Sequence, residues 1–285
     1  MQKITLGFSP CPNDTFIFDA MVNQPGFTNG LEFDYCMEDV ETLNNWAFEG
    51  RLQVTKLSYN ALLQLTNTYT LLDSGSALGR GVGPLVVHRA DSKIKPADFA
   101  SLTDFFNAAQ IAIPGANTTA NLLFTLAFPN AKNKTEVLFS EIENAVLDGQ
   151  YDCGLVIHES RFTYHERGLA KLIDMGEWWE QTSGAAIPLG GICVRKDVPR
   201  EQALLIEDAI RRSVLQSHDR YPVLSDFVKE NAQEMEERVM RQHIDLYVNE
   251  YSTTLGEDGK RAIDTLFQKA NEAGIISTMP KNLYL

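Results

Sequence analysis

The chain has 285 residues, 44% hydrophobic and 22% charged, a composition that excludes wholesale disorder and suits roughly two folded domains. Twenty-five Lys and Arg against 38 Asp and Glu leave a formal net charge of −13 at pH 7, with no basic run, so neither a nucleic acid nor an anionic membrane is an expected partner. An anionic ligand must then be held by local donors against an unfavourable overall field.

In chain order, the N-terminal MQKITLGFSPCPND lacks the apolar core and cleavage site of a signal peptide, and no apolar stretch approaches the ~20 residues of a membrane span. A cytoplasmic protein is the expectation. KITLGFS (3–9) reads as a strand, followed by a turn with Pro10 and Pro12 and a helix opened by Asn13 or Asp14 as cap. LEFDYCME (31–38) is a second strand, and DVETLNNWAFEG (39–50) a helix closed by Gly50. QVTKLS (53–58) is a short strand whose Ser58 caps the helix YNALLQL. GPLVVHR (83–89), QIAIPG (110–115), EVLFSE (136–141), CGLVIHE (153–159) and LGGICVRK (189–196) read as further strands, several apolar on both faces. Such strands with helices between them indicate sheets covered on each side, hence an α/β fold.

From Pro199 onward the pattern becomes three or four helices, with apolar positions at helical spacing in EQALLIEDAIRRSVLQS and GKRAIDTLFQKANEAG. No clean linker separates two domains. GPLVVHRAD and PLGGICVRKDVP, each a strand leaving a Gly/Pro turn, are the candidate crossings between lobes. They divide the chain into a discontinuous lobe, 1–87 with 193–285, and a second lobe, 88–192. Two lobes joined by two strands form a hinged ligand cleft.

Three strand-to-helix turns are candidate anion sites. In Ser9-Pro10-Cys11-Pro12-Asn13-Asp14-Thr15 the prolines fix the backbone while Ser9, Asn13 and Thr15 supply polar tips, and a rigid capped turn is the simpler reading. Thr55-Lys56-Leu57-Ser58 ends a strand before a helix, where a Ser cap with a solvated Lys is the plainer alternative. In Pro114-Gly115-Ala116-Asn117-Thr118-Thr119-Ala120, Gly115 permits close backbone approach and the amides of Thr118 and Thr119 point out of a helix start, an arrangement that suits a carboxylate or phosphate. No P-loop spacing or G-x-G-x-x-G occurs, so nucleotide binding is not supported. Lys56 and Arg80 are the cations near these turns in sequence, and the stretch holding Gly75, Gly79, Gly81 and Gly83 is either part of a site or an irregular loop.

His158 ends an apolar strand and precedes Glu159, at the strand end where α/β folds place their sites, with a side chain suited to proton abstraction near neutrality. A capping or packing role is the alternative. His88 reads as structural, and His218 and His243 as surface or packing residues in the helical region. His158 and His165 fail the H-E-x-x-H pattern and lack a third ligand, so no metal is expected. Cys11, Cys36, Cys153 and Cys193 show no C-x-x-C spacing and fit reduced thiols, with Cys153 a buried small hydrophobe rather than a nucleophile. Trp178 and Trp179 are adjacent and cannot share one helix face, so at most one lines a cleft.

Taken together, SPCPNDTFIFDA, DVETLN, VTKLSYNALL, GSALGRGVGPL, IAIPGANTTANLL, GLVIHESRFTY and DMGEWWEQTSGAAIPLGGI, in order over residues 9–192, resemble the 1,4-dihydroxy-6-naphthoate synthases of the futalosine route to menaquinone. The resemblance implies a type II periplasmic-binding-protein-like fold with two α/β lobes, a ligand cleft and a C-terminal helical segment. It implies a carbon–carbon lyase that cleaves cyclic dehypoxanthinyl futalosine to 1,4-dihydroxy-6-naphthoate and dihydroxyacetone, without cofactor or metal. By position in the matching motifs, the general base is His158 and the substrate-binding segments are Lys56, Leu57 and Ser58 with Thr118 and Thr119. Ser9 and Asn13 join them from the first turn as candidate contacts to a small-molecule carboxylate. Two alternatives remain: a chorismate dehydratase of the same pathway, and a non-catalytic solute-binding protein, against which the absent signal peptide argues.

Overall fold

The computed structural model describes residues 3–92, 96–158, 160–232 and 236–285, so Glu159 lies outside the described residues. The chain divides into two units, Met1–Gly79 with Pro188–Leu285, and Arg80–Ile187. The first opens with β1 Ile4–Phe8, α1 Pro12–Asn23, β2 Phe33–Met37, α2 Val40–Phe48, β3 Val54–Ser58, α3 Tyr59–Leu65, β4 Tyr69–Leu71 and β5 Ala77–Gly79. The second contains β6 Leu85–Arg89, α4 Leu102–Ala108, β7 Ile111–Ile113, α5 Thr119–Ala127, β8 Lys134–Glu136, α6 Ile142–Leu147, β9 Cys153–Val156, α7 Ser160–Thr163, β10 Leu169–Asp174 and α8 Met175–Ser183. The return strand is β11 Ile187–Arg195, followed by α9 Arg200–Arg220, α10 Asp226–Asn231, α11 Glu237–Tyr247, α12 Glu250–Thr253 and α13 Gly256–Glu272.

In the first unit the sheet order is β2-β1-β3-β11-β4, with β5 paired to β11. β1 runs parallel to β2 and β3, while β11 is antiparallel to β3 and β4. The C-terminal ends of β1 to β4 therefore share one edge. β3 is buried at every position, as a central strand covered on both faces should be. A Cβ on Gly7 would lie 2.4 Å from Leu52 and 2.8 Å from Leu43, so glycine in β1 lets the Leu43 side chain of α2 close onto the sheet. On the core side, Ala203, Ile206, Ile210 and Val214 of α9 form one buried stripe at helical spacing, packed with Leu6, Phe8, Ile17 and Ile192. Each such large aliphatic contributes about 1.5–3 kcal/mol by leaving water.

The second unit has the order β10-β6-β9-β7-β8, with β7 parallel to β8 and β9, and β6 antiparallel to β9 and β10. The ends of β7, β8, β9 and β10 thus lie on one edge, together with the start of β6. Val87, Ala112, Ile142, Val146 and Val156 form a core cluster, and Phe105, Phe106, Phe124 and Phe128 pack ring against ring elsewhere in the unit.

Several sequence expectations need correction. EVLFSE is not a strand: β8 ends at Glu136 and Phe139–Glu141 is a 3-10 turn, because Phe139 turns into the core at the start of α6. α1 begins two residues before Asp14, with Cys11 at the N-cap and Pro12 in the first turn, where a missing N–H costs nothing. Ser58 occupies the N-cap position of α3 but makes no side-chain cap bond. Among the described residues the C-terminal segment holds five helices, α9 to α13, rather than three or four, because short α10 and α12 are set off by their own Ser225 and Asn249 caps. No described helix is long and apolar enough to cross a membrane.

Candidate functional site

At the shared edge of the first sheet, the β1–α1 turn meets the end of β3. The buried carboxylate of Asp14 is the centre: Oδ1 accepts from Lys56 Nζ at 2.9 Å and from Asn13 Nδ2 at 2.8 Å, and Oδ2 accepts from the Ser9 hydroxyl at 2.8 Å and amide at 3.0 Å. The ion pair is almost free of solvent, with side-chain exposures of 7% for Lys56 and 1% for Asp14. Burial pushes the Asp14 carboxyl up, but the Lys56 charge and the hydrogen bonds from Lys56 and Ser9 outweigh it, so the group sits below the ordinary carboxylate value. With its Nδ2 on Asp14, Asn13 presents Oδ1 as a buried acceptor that no described residue satisfies.

Three of the expected residues, Ser9, Asn13 and Lys56, therefore converge, and the group that joins them is Asp14, read from sequence only as a possible cap. Leu57 is buried in β3. Ser58 is tied to α2 instead of α3: its Oγ accepts from Asn44 Nδ2 at 3.1 Å and its amide donates to Asn44 Oδ1 at 3.0 Å. Asn44 also donates to Glu41 Oε2 at 3.0 Å, a helix-face contribution the sequence reading did not single out. Thr15 donates back to the Cys11 carbonyl at 3.1 Å, so its hydroxyl closes the helix start.

The matching edge of the second sheet carries Thr118, Thr119 and His158. Gly115, at φ +148, lets the chain turn from β7 into α5. Thr118 caps that helix: its Oγ1 accepts from the Asn121 amide at 3.2 Å and donates to the Gly115 carbonyl at 2.8 Å. Its hydroxyl thus builds the turn, and Thr119 is buried beside it. The Ala116 amide donates to Glu136 Oε2 at 3.2 Å, from the end of β8. His158 lies two residues beyond β9, half-buried, with φ +57 and its ring edge-on to Phe139 at 4.9 Å.

The remaining candidates resolve into structural partners. Arg80 Nη2 donates to the Gly184 carbonyl at 3.2 Å, and Nη1 lies 3.9 Å from Glu180, so its charge is engaged within its own unit. Trp179 is buried and donates its indole N–H to the Ala186 carbonyl at 3.0 Å, while Trp178 is half-buried. His88 has a buried Nδ1 without a described partner, and burial pushes its pKa down. His218 sits edge-on to Phe16 and His243 against Tyr247. Cys11, Cys153 and Cys193 are buried, and burial raises the thiols of Cys153 and Cys193 far from the reactive range.

A family model described as menaquinone biosynthesis matches residues 4–272. The chain belongs to this family. It is similar to a 1,4-dihydroxy-6-naphtoate synthase of Thermus thermophilus, at 40% identity over 285 residues that cover 100% of both chains. It is also similar to a solved protein of Archaeoglobus fulgidus, at 31% identity and a TM-score of 0.85, covering 96% of this chain and 98% of that one. A Candida albicans gene product described as exhibiting the generic periplasmic binding protein structural fold aligns with a TM-score of 0.72 at 10% identity, over 98% of this chain and 92% of that one. The fold of this family member is accordingly periplasmic-binding-protein-like, and the protein is an enzyme of menaquinone biosynthesis with a small-molecule substrate.

Proposed function

We propose that the protein is a 1,4-dihydroxy-6-naphthoate synthase: a lyase that converts cyclic dehypoxanthinyl futalosine to 1,4-dihydroxy-6-naphthoate and dihydroxyacetone, with His158 as general base and no cofactor. What carries the reading is the full-length similarity to a synthase of that name, combined with an imidazole held at the C-terminal end of a parallel strand. Neutral imidazole accepts a proton near neutrality. As it removes one from the substrate, the carbon–carbon bond to the three-carbon fragment breaks, and its electrons enter the ring that becomes aromatic. Aromatisation supplies the driving force.

Substrate contacts are assigned to Lys56, Ser9, Asn13, Leu57 and Ser58 in the first unit and, separately, to the α5 start at Thr118 and Thr119 in the second. Because Asp14 already balances the charge of Lys56, the pair meets an anion through the directed N–H donors of Lys56 more than through net charge. The test is product formation from cyclic dehypoxanthinyl futalosine, followed chromatographically for wild type and His158→Ala. The variant is expected to bind substrate while kcat falls by roughly 10²–10⁴. Consumption of chorismate by the wild type, or substrate binding with no turnover, would overturn the assignment.

A further inference from the structure

Arg161 follows His158 by three residues, on the four-residue helix α7, and its side chain reaches across the second unit to the start of β6 and the end of β10. Nη1 donates to the Gly83 carbonyl at 2.8 Å; Nη2 donates to Asp174 Oδ2 at 2.6 Å and to the Gly81 carbonyl at 3.2 Å. The pair is largely shielded, with side-chain exposures of 15% for Arg161 and 4% for Asp174. Three acceptors around one planar guanidinium make a seat that a lysine ammonium does not fill.

The seat also has contacts of its own. Asp174 spends Oδ1 on the amides of Gly176 and Glu177, at 2.8 and 3.2 Å, and so caps α8 with its carboxylate already oriented. Gly81 and Gly83 adopt φ +67 and +140, which aim their carbonyls where other residues would be strained. A Cβ on Gly176 would lie 1.8 Å from the Val82 carbonyl oxygen, so the 81–83 turn and the start of α8 touch backbone to backbone.

The helix that follows His158 is, by contrast, a single short turn. α7 has no fully buried side chain and is far shorter than a helix that stands by propensity. His158 holds a left-handed φ, a conformation that persists only where surroundings over-determine it. The Arg161 amide closes the turn onto the His158 carbonyl at 3.4 Å, and its guanidinium ties the turn to the seat.

We propose that Arg161 is a positioning residue: the clamp of Gly81, Gly83 and Asp174 on its guanidinium holds the turn that presents the His158 imidazole, and thereby sets the rate of proton transfer without Arg161 touching the substrate. The proposal rests on the reading of His158 as general base.

Arg161→Met, Arg161→Lys, His158→Ala and the Arg161→Met/His158→Ala double variant are compared by steady-state kinetics on cyclic dehypoxanthinyl futalosine, with folding checked by circular dichroism. Arg161→Met is expected to lose about 10–100-fold in kcat, the scale of a misplaced catalytic group, with KM within about two-fold. Arg161→Lys should recover little, and the double variant should be no slower than His158→Ala alone. A raised KM at unchanged kcat, a wild-type kcat in Arg161→Met, or losses that multiply in the double variant would overturn the proposal. If Arg161→Met does not fold, Asp174→Asn carries the same comparison, since its Oδ1 still caps α8 while its Nδ2 faces the guanidinium with donors. A wild-type kcat in His158→Ala is the separate result that removes the base reading, and the positioning proposal with it.

Discussion

At the ends of β1 and β3, the first unit joins Ser9, Asn13, Asp14 and Lys56 through an ion pair whose partners are 42 residues apart in sequence. At the ends of β7 and β9, the second unit builds the Gly115 turn and the α5 cap from Thr118 bonds that span only three residues, and sets the left-handed His158 against Phe139 from the preceding connection by a ring contact rather than an ion pair. Both follow the rule that α/β sheets carry their sites beyond the carboxyl ends of parallel strands. The difference lies in how each edge is held. A desolvated charge pair stands or falls as a unit, because either partner alone is a buried uncompensated charge. Local caps contribute separate, modest amounts, so the loss of one leaves the others in place.

The largest expected effect is on the charge pair. Lys56→Met leaves Asp14 buried without its countercharge and should destabilise the protein by about 3–5 kcal/mol in urea denaturation at pH 7. The deficit should narrow in acid. In the wild type, Asp14 titrates below its ordinary 3.8, so its stabilisation is present above that value and is lost as pH falls through the folded-state pKa. A Lys56→Met protein as stable as wild type would erase the contrast between the two edges.

A smaller effect is expected from Thr118→Ala, which removes the α5 cap and should cost about 1 kcal/mol, read in the same denaturation experiment. A loss as large as that of Lys56→Met would mean that the second edge is also an all-or-none assembly.

The smallest effect is one of pH. Burial holds His88 below 6.5, so the unfolded chain takes up a proton first: stability is full above pH 6.5 and declines as pH falls toward the folded value. His218 in the first unit behaves alike. Urea titrations should show His88→Gln and His218→Gln each flattening that slope while leaving the acid limb assigned to Asp14 intact. Slopes unchanged in both variants would show that neither imidazole is coupled to folding.

Much of this architecture was legible in the residues. IAI is apolar at every position and stopped by Pro114, while ITLGF and VTKLS are short β-type runs that end at turn or cap residues, and each of the three proves to be a strand. His158 was legible at the end of such a run. β4 and β5 are not legible because YTL and ALG do not form a run as apolar as the equally short IAI, and β10 is not because LAKLID mixes exposed Lys171 with buried Leu169 and Asp174. Asp14 was read as a cap because Asn-Asp beside a proline turn has that local chemistry, whereas its partner sits on another strand. The role of Arg161 is not legible in sequence because its three acceptors lie 78, 80 and 13 residues away.

The amino-acid sequence by itself determined the alternation of strand and helix, the turns forced by Pro12 and Gly115, and the condition that any anionic ligand be held by local donors in a chain of net charge −13. Tertiary structure alone decided that Lys56 is balanced by Asp14, that Trp179 spends its indole on Ala186, and that Arg161 is seated on Gly81, Gly83 and Asp174. The physical reason is range. Periodicity and backbone sterics act over a few residues, while a buried charge or donor must be satisfied by whatever the fold brings within about 3 Å, however distant in sequence.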